Sequence, residues 1–329
     1  MSRLLRRTLY AVVIGALLYA AAMIWFDASK LGVALESFPW WRFVLALMLS
    51  SANYLVRFVK WELSLGWLEV RRDAPGLTRK RSLVVYLAGL SMSISPGKLG
   101  EVLRSLLLEA SDGIPFSRTA PIVIADRITD LIALVVLSLV GVAVYREYLP
   151  VVVATAVLIG LGVFVLGTPR LLRPLLRMMS SWPIVGRVAV RGEALVDAAA
   201  VVLRLRALVV LSVLSVLGWG LECVGFWLVL GGFGVAPSLT LCAFLWSVGT
   251  LIGALSFLPG GLIAAEGSLT LATMKLVVGA TESIALGATM LGRIATLWFG
   301  ELVGGIALAV FLRDPELRRR AFDDASRSG

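Results

Sequence analysis

The sequence predicts an all-α, polytopic integral membrane protein with about six full transmembrane helices and two re-entrant segments arranged as an inverted repeat. Of its 329 residues, 59% are hydrophobic, and the mean hydropathy is +0.93. No soluble core needs so much apolar surface, and only helices or closed barrels satisfy the backbone in lipid. The apolar runs lack the alternation of strands, so the spans are predicted to be helical. The phrase Ser-x-x-Pro-Gly-x-Leu, which occurs twice inside such runs, predicts the re-entrant segments.

Eight apolar segments follow one another along the chain. They cover roughly 8–26, 40–68, 82–110, 119–145, 149–167, 207–231, 239–279 and 284–312. A helix needs about 20 apolar residues to span a bilayer. The first segment follows the basic stretch 3–7 and has no small-residue cleavage site, which predicts an uncleaved helix. The segments 82–110 and 239–279 are interrupted at Pro96-Gly97 and at Pro259-Gly260-Gly261.

The two interruptions belong to a longer repeated pattern. In the first copy Glu101 and Arg127 follow the phrase, and in the second copy Glu266 and Arg293 follow it. Corresponding Gly/Pro-interrupted segments in two halves of a membrane protein indicate a binding site between repeats. We therefore predict one repeat over 40–145 and a second over 207–312.

The distribution of basic residues predicts the topology, because basic loops stay in the cytoplasm. If the segment 82–110 crossed the membrane, the arginine-rich linker 168–206 would lie outside. If it is a hairpin, all basic loops become cytoplasmic, and the two repeats are inverted. The second broken segment gives the same topology as a hairpin or as two spans. The predicted organisation is a single membrane domain: first helix and external loop 1–39, repeat one, connecting helix and linker 146–206, repeat two, and a cytoplasmic tail 313–329.

Ionisable residues at membrane depth are the first candidates for function, since each costs about 2.5–3.5 kcal/mol to insert. Glu101 and Arg104, and Arg127 and Asp130, are i,i+3 neighbours that could pair locally. We predict that the Glu101/Arg127 and Glu266/Arg293 sets line a cavity; the alternative is that these charges are structural ion pairs and snorkelling side chains. The remaining candidates are Arg57, Lys60, Lys98, Asp126, Glu222 and Glu301.

The Pro-Gly breaks favour an anionic ligand. The helix that restarts after a break has unpaired amide groups, which attract phosphate. Gly97, Gly260 and Gly261 allow close backbone approach, and Lys98 adds a charge. The chain has no histidine and no nucleotide-binding motif, so we predict neither a metal nor a cofactor. The net charge of +10 lies in loops beside membrane helices, so nucleic acid is not the expected partner.

Three strings resemble a known family. They are Asn53-Tyr54-Leu55-x-Arg57-x-x-Lys60-Trp61, Pro96-Gly97-Lys98-Leu99-Gly100-Glu101 with Asp126-Arg127, and Pro259-Gly260-Gly261 with Glu266 and Arg293. They resemble the transmembrane-region family of lysylphosphatidylglycerol synthases, the flippase-like membrane domain of the multiple peptide resistance factor. Lys60 stands where the family usually has Arg, and Asp126 where it has Glu. The resemblance implies that Asn53 belongs to the site. No soluble aminoacyl-transferase domain follows before Gly329, so lipid synthesis is not implied.

The expected function is therefore non-enzymatic. We expect translocation of a phosphate-containing lipid or lipid-linked precursor across the cytoplasmic membrane, with both chain termini in the cytoplasm. The expected ligand is an anionic phospholipid or a polyprenyl-phosphate-linked lipid. Two alternatives stay open: a non-transporting membrane partner of an envelope lipid- or glycosyl-transferase, and a secondary transporter of a small anion.

Overall fold

The computed structural model describes residues 35–94, 101–142, 145–178, 192–256 and 258–314. Every regular element in those ranges is helical, which confirms the all-α prediction. The helices are α1 (Trp41–Trp67), α2 (Val70–Asp73), α3 (Arg79–Ala88), α4 (Leu103–Asp112), α5 (Phe116–Val142), α6 (Leu149–Gly167), α7 (Pro169–Met178), α8 (Gly192–Val202), α9 (Leu205–Gly232), α10 (Leu239–Leu255), α11 (Ala264–Leu276), α12 (Glu282–Arg293) and α13 (Phe299–Arg313). A π turn, Ile294–Trp298, joins α12 to α13.

Four helical stretches in the described residues are long and apolar enough to cross a membrane: α1, Arg146–Gly167, α9 and Glu282–Arg313. The protein is therefore a multi-pass membrane protein. Helix α5 has 27 residues and is equally long, but four of its first fifteen residues are charged. The segment 8–26 lies outside the described residues, so the number of full spans stays a prediction.

The described parts of the segment 82–110, on either side of residues 95–100, form the two arms of a hairpin. Helices α3 and α4 have 10 residues each, which is about 15 Å at 1.5 Å per residue and half the thickness of a bilayer core. Arg81, at the start of α3, lies 3.5 Å from Asp112, at the end of α4, measured from Nε to Oδ2. Its guanidinium also donates to the carbonyl of Ser111. The segment therefore enters and leaves at the same end of the helix bundle.

The second broken segment is also a hairpin, and its tip meets the first. Helices α10 and α11 pack so closely that a Cβ at Gly249 would lie 3.2 Å from the Cβ of Leu269. Gly279, after α11, lies beside Val235, before α10. A Cβ at Gly260 would lie 3.3 Å from the Cα of Ile94 at the tip of the first hairpin. The two hairpins therefore enter from opposite ends, and their tips touch.

Basic residues gather at the end where the first hairpin enters. Arg118, at the start of α5, pairs with Asp73 and donates to the carbonyl of Leu68 at 2.6 Å. Arg204, before α9, lies over the Trp67 ring at 5.6 Å from its centroid. Helix α8 packs into the same hydrophobic cluster, so the end of the linker returns to this side. That placement is the one that the hairpin interpretation of 82–110 requires.

Candidate functional site

A cavity of about 350 Å³ lies where the two hairpin tips meet. Its walls come from α1, α5, α9, both hairpins and the α12–α13 region. Ten of the predicted candidates line it: Asn53, Arg57, Glu101, Arg104, Arg127, Asp130, Glu222, Gly260, Gly261 and Arg293. Both halves of the chain therefore contribute charge to one space.

The first half supplies a buried network of alternating charges. Arg57 Nη1 lies 2.6 Å from Asp130 Oδ2, and Lys60 Nζ lies 3.1 Å from Asp130 Oδ1. Lys60 Nζ is also 3.2 Å from Asp126 Oδ1, whose other oxygen is 3.5 Å from Arg104 Nη1. Asp126 does not line the cavity, but it forms an ion pair with Arg104, which lines it. Buried charges are tolerated when they are paired in this way.

Two ion pairs occupy repeat-related positions. Arg127 pairs with Glu101 in the first half. In the second half Arg293 Nε donates to Glu266 Oε1 at 2.6 Å. Arg104 and Asp130 also reach other elements of the fold, because Arg104 pairs with Asp126 of α5 and Asp130 pairs with Arg57 of α1.

Asn53 connects the network to the second half. Its Nδ2 donates to Glu222 Oε1 of α9 at 2.6 Å, and its Oδ1 accepts from Arg57 Nε at 3.1 Å. A guanidinium has only donors, so Arg57 fixes the orientation of the Asn53 amide. The indole of Trp246 donates to Glu222 Oε2 at 3.2 Å. Glu222 is thereby a cavity-lining carboxylate held by neutral donors of α1 and α10.

The second Pro-Gly break has a different chemistry from the one expected. Gly260 has a φ of 61°, and its carbonyl accepts from Arg293 Nη2 at 2.8 Å. Helix α11 begins after Ile263, and Glu266 stands in its first turn. That carboxylate already complements the positive end of the helix. Pro259 begins the 3₁₀ turn at this break. Pro96, Gly97 and Lys98 lie outside the described residues.

Several site residues carry no signal in the sequence. The guanidinium of Arg57 lies 4.9 Å from the Trp219 ring centroid, and that of Arg104 lies 4.2 Å from the Tyr86 ring centroid. Such cation–π contacts stabilise desolvated arginines. Ser215 receives a hydrogen bond from Lys60 at 2.7 Å. In the sequence, Tyr86, Ser215 and Trp219 look like ordinary members of apolar helices.

Opposed hairpins around a charged cavity define a multi-pass membrane protein built around a polar site at membrane depth. The family model described as the lysylphosphatidylglycerol synthase TM region matches residues 11–304. The chain therefore belongs to this family, as the three strings suggested.

Relatives from Methanothermobacter thermautotrophicus bear the name UPF0104 membrane protein. One is 25% identical over 317 residues, covering 90% of this chain and 91% of the relative. A second is 24% identical over 326 residues, covering 91% and 94%. The similarity thus extends over nearly the whole of each protein.

Proposed function

We propose that the protein moves a phosphate-containing lipid, or a lipid-linked precursor, between the two leaflets of the cytoplasmic membrane. The observation that carries the proposal is the cavity at the hairpin tips, into which both halves place arginines: Arg57, Arg104, Arg127 and Arg293. The planar guanidinium suits phosphate, which it can bind with two parallel hydrogen bonds. Binding at the interface of inverted elements is typical of devices that carry a ligand across a membrane.

The rim of the cavity favours a lipid over a water-soluble anion. Leu158 of α6 and Leu258 of the second hairpin line the cavity and are 48% and 42% exposed. Ala254, also on the lining, is exposed. An opening with apolar walls allows acyl or prenyl chains to stay in the bilayer while the head group occupies the cavity. The ligand we propose is an anionic phospholipid or a polyprenyl-phosphate-linked lipid.

Arg127 is the arginine best placed to meet the head group first. Its side chain is 25% exposed, against 16% for Arg57, 11% for Arg293 and 3% for Arg104. An incoming phosphate would compete with Glu101 for the Arg127 guanidinium.

Reconstitution tests the proposal. Purified protein in liposomes should accelerate the exchange of labelled phosphatidylglycerol between leaflets, measured by quenching of the outer leaflet. Arg127→Ala should slow the exchange by roughly tenfold, equivalent to about 1.4 kcal/mol. Arg72→Ala is the matched control, because Arg72 is 80% exposed and pairs with Glu69 at the bundle surface, away from the cavity lining.

The alternatives give different results in the same vesicles. If the intact protein does not accelerate lipid exchange, the translocation proposal is wrong, and a non-transporting partner of an envelope enzyme becomes the better interpretation. Uptake of radioactive inorganic phosphate without lipid exchange would instead identify a transporter of small anions.

A further inference from the structure

Glu301 is a buried carboxylate that the charged network does not use. It lies in the first turn of α13 and is 8% exposed. Its Oε1 accepts the backbone N–H of Ile94 at 2.8 Å, at the tip of the first hairpin. Gly304, one turn later, allows α13 to approach this hairpin, since a Cβ there would collide with the backbone of Ser91.

Glu301 stands apart from the ion pairs of the described residues. Within the described parts of the chain, no Lys or Arg nitrogen forms an ion pair with it inside 4 Å. The titratable group facing it from α1 is Tyr54, whose hydroxyl donates to the carbonyl of Thr296 at 2.8 Å. From α3, Tyr86 faces Arg104, and Arg81 pairs with Asp112 at the far end of the hairpin. In its own helix pair, Arg293 is bound to Glu266.

The same helix pair holds both hairpin tips. Arg293, at the end of α12, donates to the carbonyl of Gly260 at the second tip. Glu301, across the π turn, accepts from the amide of Ile94 at the first tip. Because Gly260 and Ile94 touch each other, these two contacts fix the tips against one another at the cavity.

We propose that Glu301 is a proton-binding site that controls the contact between the two tips. The ionised carboxylate holds the Ile94 amide through a charge-assisted hydrogen bond, which is about twice as strong as a neutral one. An isolated buried carboxylate is costly, and taking up a proton removes that cost. Protonation weakens the contact with Ile94 and releases the first tip. The consequence for lipid movement rests on the proposed function, but the opening of the tips does not.

A distance measurement tests this inference without any transport assay. Spin labels are attached to Ser93→Cys and Leu258→Cys, one at each tip, in protein that also carries Cys223→Ala and Cys242→Ala. Double electron–electron resonance then gives the distance between the two labels in lipid nanodiscs at about pH 8 and about pH 5. The chain has no histidine, so carboxylates are the side chains that can take up protons in this interval.

The intact labelled protein should show a shift to longer distances at the lower pH. Glu301→Gln should show the longer distances at both pH values, and Glu282→Gln, at the exposed start of α12, should behave as the unmodified chain. If Glu301→Gln does not accumulate, Glu301→Asp, whose carboxylate is retracted by one methylene, should show the longer distances at both pH values. An unchanged distance in the intact protein would overturn the inference, and so would a pH response that persists in Glu301→Gln. Neither result depends on whether the protein moves lipid.

Discussion

The cavity arginines are held by carboxylates from other elements of the fold. Arg57 of α1 and Arg104 of α4 are bound by Asp130 and Asp126, both on α5. Arg127 of α5 pairs with Glu101, which precedes α4. Each pair therefore ties two elements together and also holds one of the arginines that we propose to meet the head group. Stability and the proposed binding depend on the same side chains, so we expect single substitutions to alter both.

The Glu101–Arg127 pair allows these two roles to be separated. Glu101→Gln or Arg127→Ala leaves one partner uncompensated, which costs about 3–5 kcal/mol in a fully buried pair. The loss should be smaller here, since Arg127 is 25% exposed. The double variant should regain thermal stability, measured in detergent, without regaining lipid exchange. If the double variant exchanges lipid at the rate of the intact protein, the pair is purely structural.

Two adjacent glycines on α13 provide a stability test with an internal control. A side chain at Gly304 would collide with the Ser91 backbone, whereas nothing lies within 4 Å of a Cβ at Gly305. Gly304→Ala should lower the free energy of unfolding by about 1–3 kcal/mol through overpacking. Gly305→Ala should leave it unchanged or raise it by up to about 1 kcal/mol, because alanine favours the helix. Equal melting temperatures for the two variants would contradict the close contact between α13 and the first hairpin.

At the scale of elements, the π turn between α12 and α13 determines the directions in which Arg293 and Glu301 point, and so which hairpin tip each of them contacts. A π turn contains one residue more than an α-helix needs, and it is often found at functional sites. Here Tyr54 donates to the carbonyl of Thr296, inside the turn. The turn determines how the side chains of Arg293 and Glu301 are rotated relative to one another. Each of them then reaches a different hairpin.

Inserting one alanine after Phe299, in the regular helix that follows the turn, should rotate Glu301 by about 100° relative to Arg293, since each residue of an α-helix contributes that angle. Both tip contacts cannot then form at once, and the distance between spin labels at Ser93→Cys and Leu258→Cys should lengthen at about pH 8. Deleting Ala295 is the control, because it removes the extra residue of the π turn and keeps Arg293 and Glu301 facing as they do in the intact chain. An insertion variant with the original distance would show that the rotation between these two side chains does not position the tips.

The sequence predicted the elements better than the contacts between them. The predicted segment 149–167 coincides with α6, because proline and charged residues mark its ends. The ion pairs Glu101–Arg127 and Glu266–Arg293 were predictable, since the repeat places both at corresponding positions. The π turn was not, because Ile294–Trp298 contains neither glycine nor proline. The ion pairs of Lys60 with Asp126 and Asp130 were not predictable either. They depend on how α1 and α5 are rotated against each other, which no local sequence pattern encodes.

At the scale of the whole molecule, the two ends of the bundle differ in charge. At one end Arg81 and Arg118 form ion pairs with aspartates, and Arg204 stacks on the Trp67 ring. The opposite end is aromatic: Phe38 packs on Phe233, and Tyr148 packs on Phe244. Cytoplasmic loops carry an excess of Lys and Arg, and aromatic residues are enriched at membrane interfaces. We therefore propose that the arginine-rich end faces the cytoplasm.

Cysteine labelling in intact cells tests this orientation. In a chain that carries Cys223→Ala and Cys242→Ala, the substitutions Arg72→Cys, Arg204→Cys and Arg313→Cys should be shielded from a membrane-impermeant thiol reagent. Glu147→Cys, Ser238→Cys and Glu282→Cys should react, since all six positions are exposed at one or the other end. Permeabilised cells, in which every position should react, control for the accessibility of each thiol. Arg204→Cys is the decisive position, because its side of the membrane depends on whether the segment 82–110 returns or crosses. Labelling of both Arg72→Cys and Arg204→Cys from outside the cell would show that the orientation is the reverse of the one proposed. Labelling of Arg204→Cys with Arg72→Cys protected would contradict the hairpin itself.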